Sequence, residues 1–325
     1  SLLFSWMSGA AIADAAGLGS VLVPAMKKHG YDGRFALGLT GASSLIGPIM
    51  PPSIPAIVYA VVAGVSVGAL FLAGVVPALV LTAILCLFVF VNARLNPTRD
   101  EAAAPRIPLW TASRGALPVL LTPVIILGGI LGGVFTPTEA AAAAVMWVLF
   151  LSVCYRSLSM RRFRGVLVKT ASTTGSIMLI VAAAGLFGWV IAREQGPQMV
   201  TEAMLRLTDN PFVFLLLINV ALLVTGMLLE PVAGLLITVP VLLPAAIEFG
   251  IDPLQLGIVI ILNLVLGLLT PPVGLVLYVL SSVTGSSVQQ VIRGTVPFLI
   301  PLLITLLLIT FVPAFSLWLP SLLAK

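Results

Sequence analysis

Gly47-Pro48-Ile49-Met50-Pro51-Pro52-Ser53 and Gly267-Leu268-Leu269-Thr270-Pro271-Pro272-Val273-Gly274 each set two consecutive prolines inside a long charge-free run. Proline lacks the backbone donor and clashes with the turn before it, so an apolar helix must break at each pair. At membrane depth a break frees carbonyl oxygens and exposes the ends of two half-helices, which can coordinate Na⁺ and attract carboxylates. A plain proline kink is the alternative for either segment alone. Their recurrence in register favours an ion site at each.

The register is found by sliding the sequence along itself: at an offset of 220, without a gap, Pro51-Pro52 falls on Pro271-Pro272. Pro24 then meets Pro244, Gly30 meets Gly250, Asp32 meets Asp252, Gly47 meets Gly267, Gly74 meets Gly294 and Pro77 meets Pro297. These turn and breaker residues mark an internal repeat.

Oxygen-bearing and small residues should approach each break from a hairpin tip. In the first copy the tip is Ser8-Gly9-Ala10-Ala11 with Asp14 following; in the second it runs from Thr225-Gly226 to Glu230-Pro231. Such residues permit close backbone approach and supply oxygen ligands that suit a hard cation. The expected first ion site is Ser8, Gly9, Asp14, Gly47, Pro51, Pro52 and Ser53. The expected second is Thr225, Gly226, Gly267, Thr270, Pro271, Pro272 and Gly274. Asp14 reads equally as an ion ligand and as a carboxylate stabilising a helix N-terminus. Glu230 reads as a solvated residue at an external tip. Ser43, Ser44 and Asn263, just before the breaks, either line a substrate cavity or tie helices together. Thr136-Pro137-Thr138-Glu139 reads as a helix start, with Thr136 at the N-cap and Glu139 closing a capping box. Arg193-Glu194 and Asp209-Asn210-Pro211 read as solvated external loop.

The elements that position these residues must be membrane helices. Of 325 residues 60% are hydrophobic and 8% charged, against about 25% charged in a soluble domain, which excludes a water-soluble globule. Charge-free runs of 59, 40 and 31 residues lie between Arg34 and Arg94, Asp252 and Arg293, and Arg293 and Lys325. Each exceeds the roughly 20 residues that span a bilayer. Spans are predicted at 35–66 (broken), 69–92, 115–134, 137–155, 171–192, 210–284 in several pieces, and 295–319, all helical because open strands cannot satisfy their backbone in lipid. Linkers 94–114 and 156–169 carry an excess of arginine and face the cytoplasm by the positive-inside rule.

Lys27, Lys28 and Arg34 flank the Gly30 turn, whereas Glu248 and Asp252 flank Gly250. The first turn is therefore expected on the cytoplasmic side and the second outside. The five crossings counted between the copies agree, because an odd number inverts the second. Residues 210–229 and 231–247 then form a re-entrant hairpin with its tip near Glu230-Pro231. The expected fold is an all-α polytopic membrane protein of inverted-topology repeats with re-entrant helical hairpins and broken helices, the mark of a secondary transporter. Residues 1–92 are the C-terminal part of the first repeat and 93–114 a cytoplasmic linker. Residues 115–325 are the second repeat: three spans, a hairpin at about 210–248, a broken helix at 254–284 and a final span. The repeat arithmetic places roughly a hundred residues of the first copy before Ser1, which leaves Ser1 to Lys28 as the end of a hairpin.

Other chemistries lack their residues. His29 is the single histidine, and Cys86 and Cys154 sit in or beside apolar stretches, so metal clusters, His relays and disulfide frameworks are not expected. No GxxxxGK[ST] loop is present for ATP hydrolysis, and no nucleophile–base pair points to an enzyme. The net charge of +5 sits between apolar spans, where topology rather than nucleic acid explains it.

Gly133-Val134-Phe135-Thr136-Pro137-Thr138-Glu139-Ala140-Ala141, with Ser8-Gly9, Ala13-Asp14, Ile49-Met50-Pro51-Pro52-Ser53 and Leu269-Thr270-Pro271-Pro272-Val273-Gly274, resembles the large membrane subunit of tripartite ATP-independent periplasmic (TRAP) transporters. The resemblance extends from Ser8 to Leu317-Trp318-Leu319-Pro320 and departs in lacking the family's N-terminal portion. It implies a multi-pass protein of the bacterial inner membrane that imports organic acids, C4-dicarboxylates or similar carboxylates, on a Na⁺ gradient by an elevator-like movement. It implies no cofactor beyond the coupling ion. The implied partners are a small four-helix membrane subunit and an extracytoplasmic substrate-binding protein. A one-component ion-coupled carboxylate carrier of related fold is the alternative, separated by whether uptake needs a soluble binding protein.

Overall fold

The computed structural model describes residues 1–95 and 109–323, and the regular elements among them are all α-helices. In chain order these are α1 (Leu2–Ser8), α2 (Ala11–Lys28), α3 (Gly33–Ser44), α4 (Ile54–Ala63), α5 (Val67–Leu95), α6 (Leu109–Leu131), α7 (Pro137–Cys154) and α8 (Met160–Arg193). There follow α9 (Gly196–Leu207), α10 (Pro211–Leu228), α11 (Pro231–Glu248), α12 (Pro253–Gly267), α13 (Leu275–Thr284), α14 (Val288–Phe311) and α15 (Ala314–Leu323). Among the described residues six helices, α5, α7, α8, α10, α11 and α14, are long and apolar enough to cross a membrane. The chain is an all-α polytopic membrane protein.

Two compact units form, one from residues 1–104 and 197–325 and the other from residues 105–196. The first is built on the repeat. Shifted by 220 residues, the bounds of α2 fall on those of α11, the start of α3 on that of α12, and the starts of α4 and α5 within one residue of those of α13 and α14. Packing is reciprocal as well: α2 lies on α13 and α11 on α4, while α3 lies on α14 and α12 on α5. Such exchange is what a two-fold relation between equivalent surfaces produces. At the centre α12 buries every residue from Gln255 to Gly267. Tyr59 of α4, fully buried, donates its hydroxyl to the Pro253 carbonyl at 2.6 Å and so ties one repeat to the first turn of α12.

Both broken helices are present. α3 ends at Ser44 and α4 starts at Ile54, and α12 ends at Gly267 and α13 starts at Leu275. Three stretches differ from expectation. Residues 156–169 are not all linker, because α8 begins at Met160: Ser159 caps it by accepting from the Arg162 amide at 3.3 Å, and Met, Arg, Leu and Lys are good helix formers. Between Arg193 and Asn210 the expected loop is largely the amphipathic α9, whose polar residues hid it from a search for apolar runs. The final span starts earlier, at Val288 behind a Ser287/Gln290 capping box, and ends at Phe311. Pro313, which has no amide to donate, separates it from α15. Most of the 93–114 linker lies outside the described residues.

In the second unit, α7 starts as its sequence requires. Thr136 accepts from the Glu139 amide at 3.4 Å, and the Glu139 carboxylate accepts from the Thr136 amide at 2.8 Å, closing a capping box. Trp147 of α7 donates its indole N–H to the Pro118 carbonyl of α6 at 2.9 Å. The box predicts a graded response. Thr136→Ala should cost about 1 kcal/mol and lower the thermal midpoint in detergent, whereas Glu139→Gln, which can still close the box, should leave it near wild type. A larger loss for Glu139→Gln than for Thr136→Ala would show that the carboxylate's charge has another role.

Candidate functional site

The first hairpin tip forms because α1 stops at Gly9, whose φ of 64° is left-handed and open to glycine, and α2 restarts at Ala11. Asp14, in the first turn of α2, is fully buried. Ser5 donates its hydroxyl to Asp14 Oδ2 at 2.6 Å and Ser8 donates to Oδ1. The carboxylate also lies against the break: a Cβ on Gly47 would fall 2.5 Å from Asp14 Oδ2. Gly9 packs directly on the Pro52 carbonyl, and the Ile54 amide donates to the Gly9 carbonyl at 3.5 Å. Ser53 donates to the Pro48 carbonyl and accepts from the Ala56 amide at 3.1 Å, which caps α4. Ser8, Gly9, Asp14, Gly47, Pro52 and Ser53 are thus brought together, with buried Pro51 in the same break.

Ser5 is the member that sequence reading missed. Its signal was present, since Ser5 and Ser8 stand three apart and share one face of a helix. Asp14 lies in the first turn of a helix, as one of its sequence readings has it, and its Oδ2 also lies against Gly47 of the break.

The second junction has the same parts and a different chemistry. Gly226 of α10 sits on Leu264 and Gly267 of α12 so closely that neither glycine has room for a side chain. α12 ends there, and the chain passes through Thr270, Pro271 and Pro272 to Gly274, whose φ of 57° precedes α13. The Thr225 and Thr270 hydroxyls each donate to the carbonyl four residues earlier, Ala221 and Leu266, both at 2.9 Å. Glu230 is not a solvated tip. It is half-buried and caps α11, its Oε2 accepting from the amides of Val232 at 2.9 Å and Ala233 at 3.3 Å. Gly234 occupies the position that Asp14 holds in the first repeat, so this junction has no equivalent carboxylate. The Pro51-Pro52 and Pro271-Pro272 bonds are both cis.

Ser43 and Ser44 are buried and bond back onto α3, to the carbonyls of Thr40 at 3.3 Å and Gly41 at 2.7 Å; Ser43 also accepts from Ser1 at 2.9 Å. Asn263 joins a polar string across three helices. Its amide donates to Asn219 Oδ1 of α10 at 2.6 Å, Asn219 donates to the Thr310 hydroxyl of α14 at 3.1 Å, and Gln255 donates to the Thr310 carbonyl at 2.9 Å. Asn219, Gln255 and Thr310 were not foreseen, and the isolated amides in apolar runs were the available signal.

Close approach at the two breaks makes a stability contrast measurable. Gly47→Ala and Gly267→Ala should each cost about 1–3 kcal/mol through overpacking, read as a lower thermal midpoint in detergent. Gly175→Ala, in α8 with nothing within 4 Å of the added Cβ, should leave it unchanged or raise it. Equal effects at all three positions would mean that the junctions are not tightly closed.

Residues 1–315 match the family described as "Tripartite ATP-independent periplasmic transporter, DctM component". The sialic acid TRAP transporter large permease protein of Vibrio cholerae is 46% identical over 323 residues, covering 99% of this chain and 76% of that protein. The C4-dicarboxylate TRAP transporter large permease protein of Pseudomonas aeruginosa is 42% identical, covering 98% of this chain and 75% of that protein. The 2,3-diketo-L-gulonate TRAP transporter large permease protein of Escherichia coli is 37% identical, covering 96% and 74%. With its apolar spans, the chain is a multi-pass protein of the bacterial inner membrane. It belongs to the family of large permease subunits of tripartite ATP-independent periplasmic transporters.

Proposed function

We propose that this permease carries an organic acid inward together with Na⁺, and that each junction of a hairpin tip with a proline break holds one coupling cation. The observation that carries the reading is the double closure: Ser8, Gly9 and Asp14 onto Gly47, Pro52 and Ser53, and Gly226 onto Gly267, the counterpart of Gly47. Break carbonyls, serine and threonine hydroxyls and Asp14 are hard oxygen donors of the kind Na⁺ takes. Asp14 neutralises a cation at the first junction. At the second, where Gly234 replaces the acid, a cation keeps its charge, which a substrate carboxylate can balance. Ser43, Ser44 and the Asn263 string flank the two junctions and position them for that substrate.

The relatives are named for sialic acid, C4-dicarboxylates and 2,3-diketo-L-gulonate. These compounds share a carboxylate, so the substrate is taken as an organic acid, a C4-dicarboxylate or similar. The chain acts as a carrier rather than an enzyme, uses no cofactor beyond the ion, and works in an elevator-like cycle. A small four-helix membrane subunit and an extracytoplasmic binding protein complete the system. The charge contrast between Lys27, Lys28 and Arg34 at the Gly30 turn and Glu248 and Asp252 at the Gly250 turn supports a cytoplasmic first turn and an external second one.

Topology is tested by impermeant thiol labelling after Cys86 and Cys154 are replaced. Gly30 and Gly250 have φ of 79° and 72°, so the new cysteines belong at the exposed neighbours Lys28 and Glu248. Labelling is expected from opposite faces, and labelling of both from one face would refute the inversion. Coupling is tested by Asp14→Asn, which should raise the Na⁺ concentration for half-maximal uptake at least roughly tenfold, because affinity follows ligand charge. Unchanged Na⁺ activation with normal expression would remove Asp14 from the ion site. Uptake by wild-type protein without any binding protein would favour a one-component carrier.

A further inference from the structure

Arg156, Arg161, Arg162, Arg164 and Lys169 fall within fourteen residues that contain no acid. The fold turns most of this segment into the start of α8, a continuous helix of 34 residues. At 1.5 Å per residue it is about 51 Å long, against a hydrocarbon core of about 30 Å. The charge-free stretch from Thr170 to Ala192 is enough to fill the core, so the first ten residues of α8 stand at the level of the headgroups. α8 buries none of its residues within the chain.

On that length Arg161, Arg164, Val168, Lys169 and Ser172 line an open hollow of about 700 Å³, floored at Gly165, where nothing lies within 4 Å of an added Cβ. Arg162 is engaged elsewhere, donating to the Ser157 carbonyl at 3.0 Å. Among the described residues the ion pair found is Arg206–Glu202, so Arg161, Arg164 and Lys169 face no carboxylate within reach. Along the same helical face from Val168 and Ser172, Leu179 and Leu186 are 72% and 68% exposed. Three cations that face no carboxylate among the described residues, and a hydroxyl, therefore stand directly above an apolar stripe. We propose that this face of α8 binds an anionic phospholipid, with its phosphate between Arg161, Arg164 and Lys169 and its acyl chains along Leu179 and Leu186. Guanidinium and ammonium donors match the phosphodiester, and basic residues next to a span attract anionic headgroups. The site requires neither the transport reading nor a particular sidedness.

The test uses the detergent-purified chain, incubated with dioleoyl phosphatidylglycerol or dioleoyl phosphatidylcholine, with retained lipid counted by native mass spectrometry. Phosphatidylglycerol should be retained and phosphatidylcholine lost. Arg161→Gln/Arg164→Gln/Lys169→Gln should weaken retention roughly a hundredfold, while Arg161→Lys/Arg164→Lys keeps most of it. Inorganic phosphate at the same concentration should leave the lipid bound. Should the triple variant fail to fold, a NaCl titration of the wild type serves instead, and retention should fall as salt rises. Equal retention of the two lipids, undiminished binding by a folded triple variant, displacement by equimolar phosphate, or salt-insensitive binding would each overturn the proposal.

Discussion

Every peptide group placed in a bilayer core has to find a hydrogen-bond partner within the protein, and the rest of this structure follows from how that demand is met where it is deliberately broken. Two proline pairs interrupt two central helices and strip them of donors. The breaks are met from within the protein: the Ser53 hydroxyl bonds the Pro48 carbonyl, and the Val276 amide donates to the Leu268 carbonyl at 3.0 Å. Hairpin tips are laid on the breaks, with Gly9 on the Pro52 carbonyl and Gly226 on Gly267. Ser53 turns its hydroxyl onto the Pro48 carbonyl while capping the next half-helix, so a single side chain serves both sides of a break.

Reciprocity extends this economy to the whole first unit. Each hairpin arm packs on the second half-helix of the other repeat, α2 on α13 and α11 on α4, so neither repeat encloses its own break alone. The two junctions are nevertheless unequal where charge is concerned. Asp14, held by Ser5 and Ser8, has only Gly234 as its counterpart, while Glu230 is spent on capping α11. The two junctions of this duplicated scaffold therefore differ in charge, with an acid at position 14 and glycine at position 234, and the function proposed above rests on that difference.

Much of this was legible in the residues. Membrane class, helical content and the two breaks follow from charge-free runs and proline pairs, which act locally and need no tertiary context. The repeat was legible because turn residues keep their spacing when apolar text drifts, and the helix bounds fall on the same offset of 220. The capping box at Thr136 and Glu139 was legible for the same local reason. α9 was not, because its amphipathic face carries too few consecutive apolar residues to read as a span. The helical start of α8 was not, because charge was read as linker although arginine and lysine favour helices.

The sequence by itself thus determined the membrane-spanning helices, where two of them must break, and that the breaks are paired. Tertiary structure alone decided which oxygens converge: that Ser5 joins Ser8 on Asp14, that Gly47 receives the carboxylate, and that Asn263 bonds to Asn219 and, through it, to Thr310, 91 residues from Asn219. Breaks and caps are set by each residue's own backbone chemistry, within a few positions of chain. Convergence depends on how helices distant in sequence pack, and in uniformly apolar spans no local pattern encodes which faces meet.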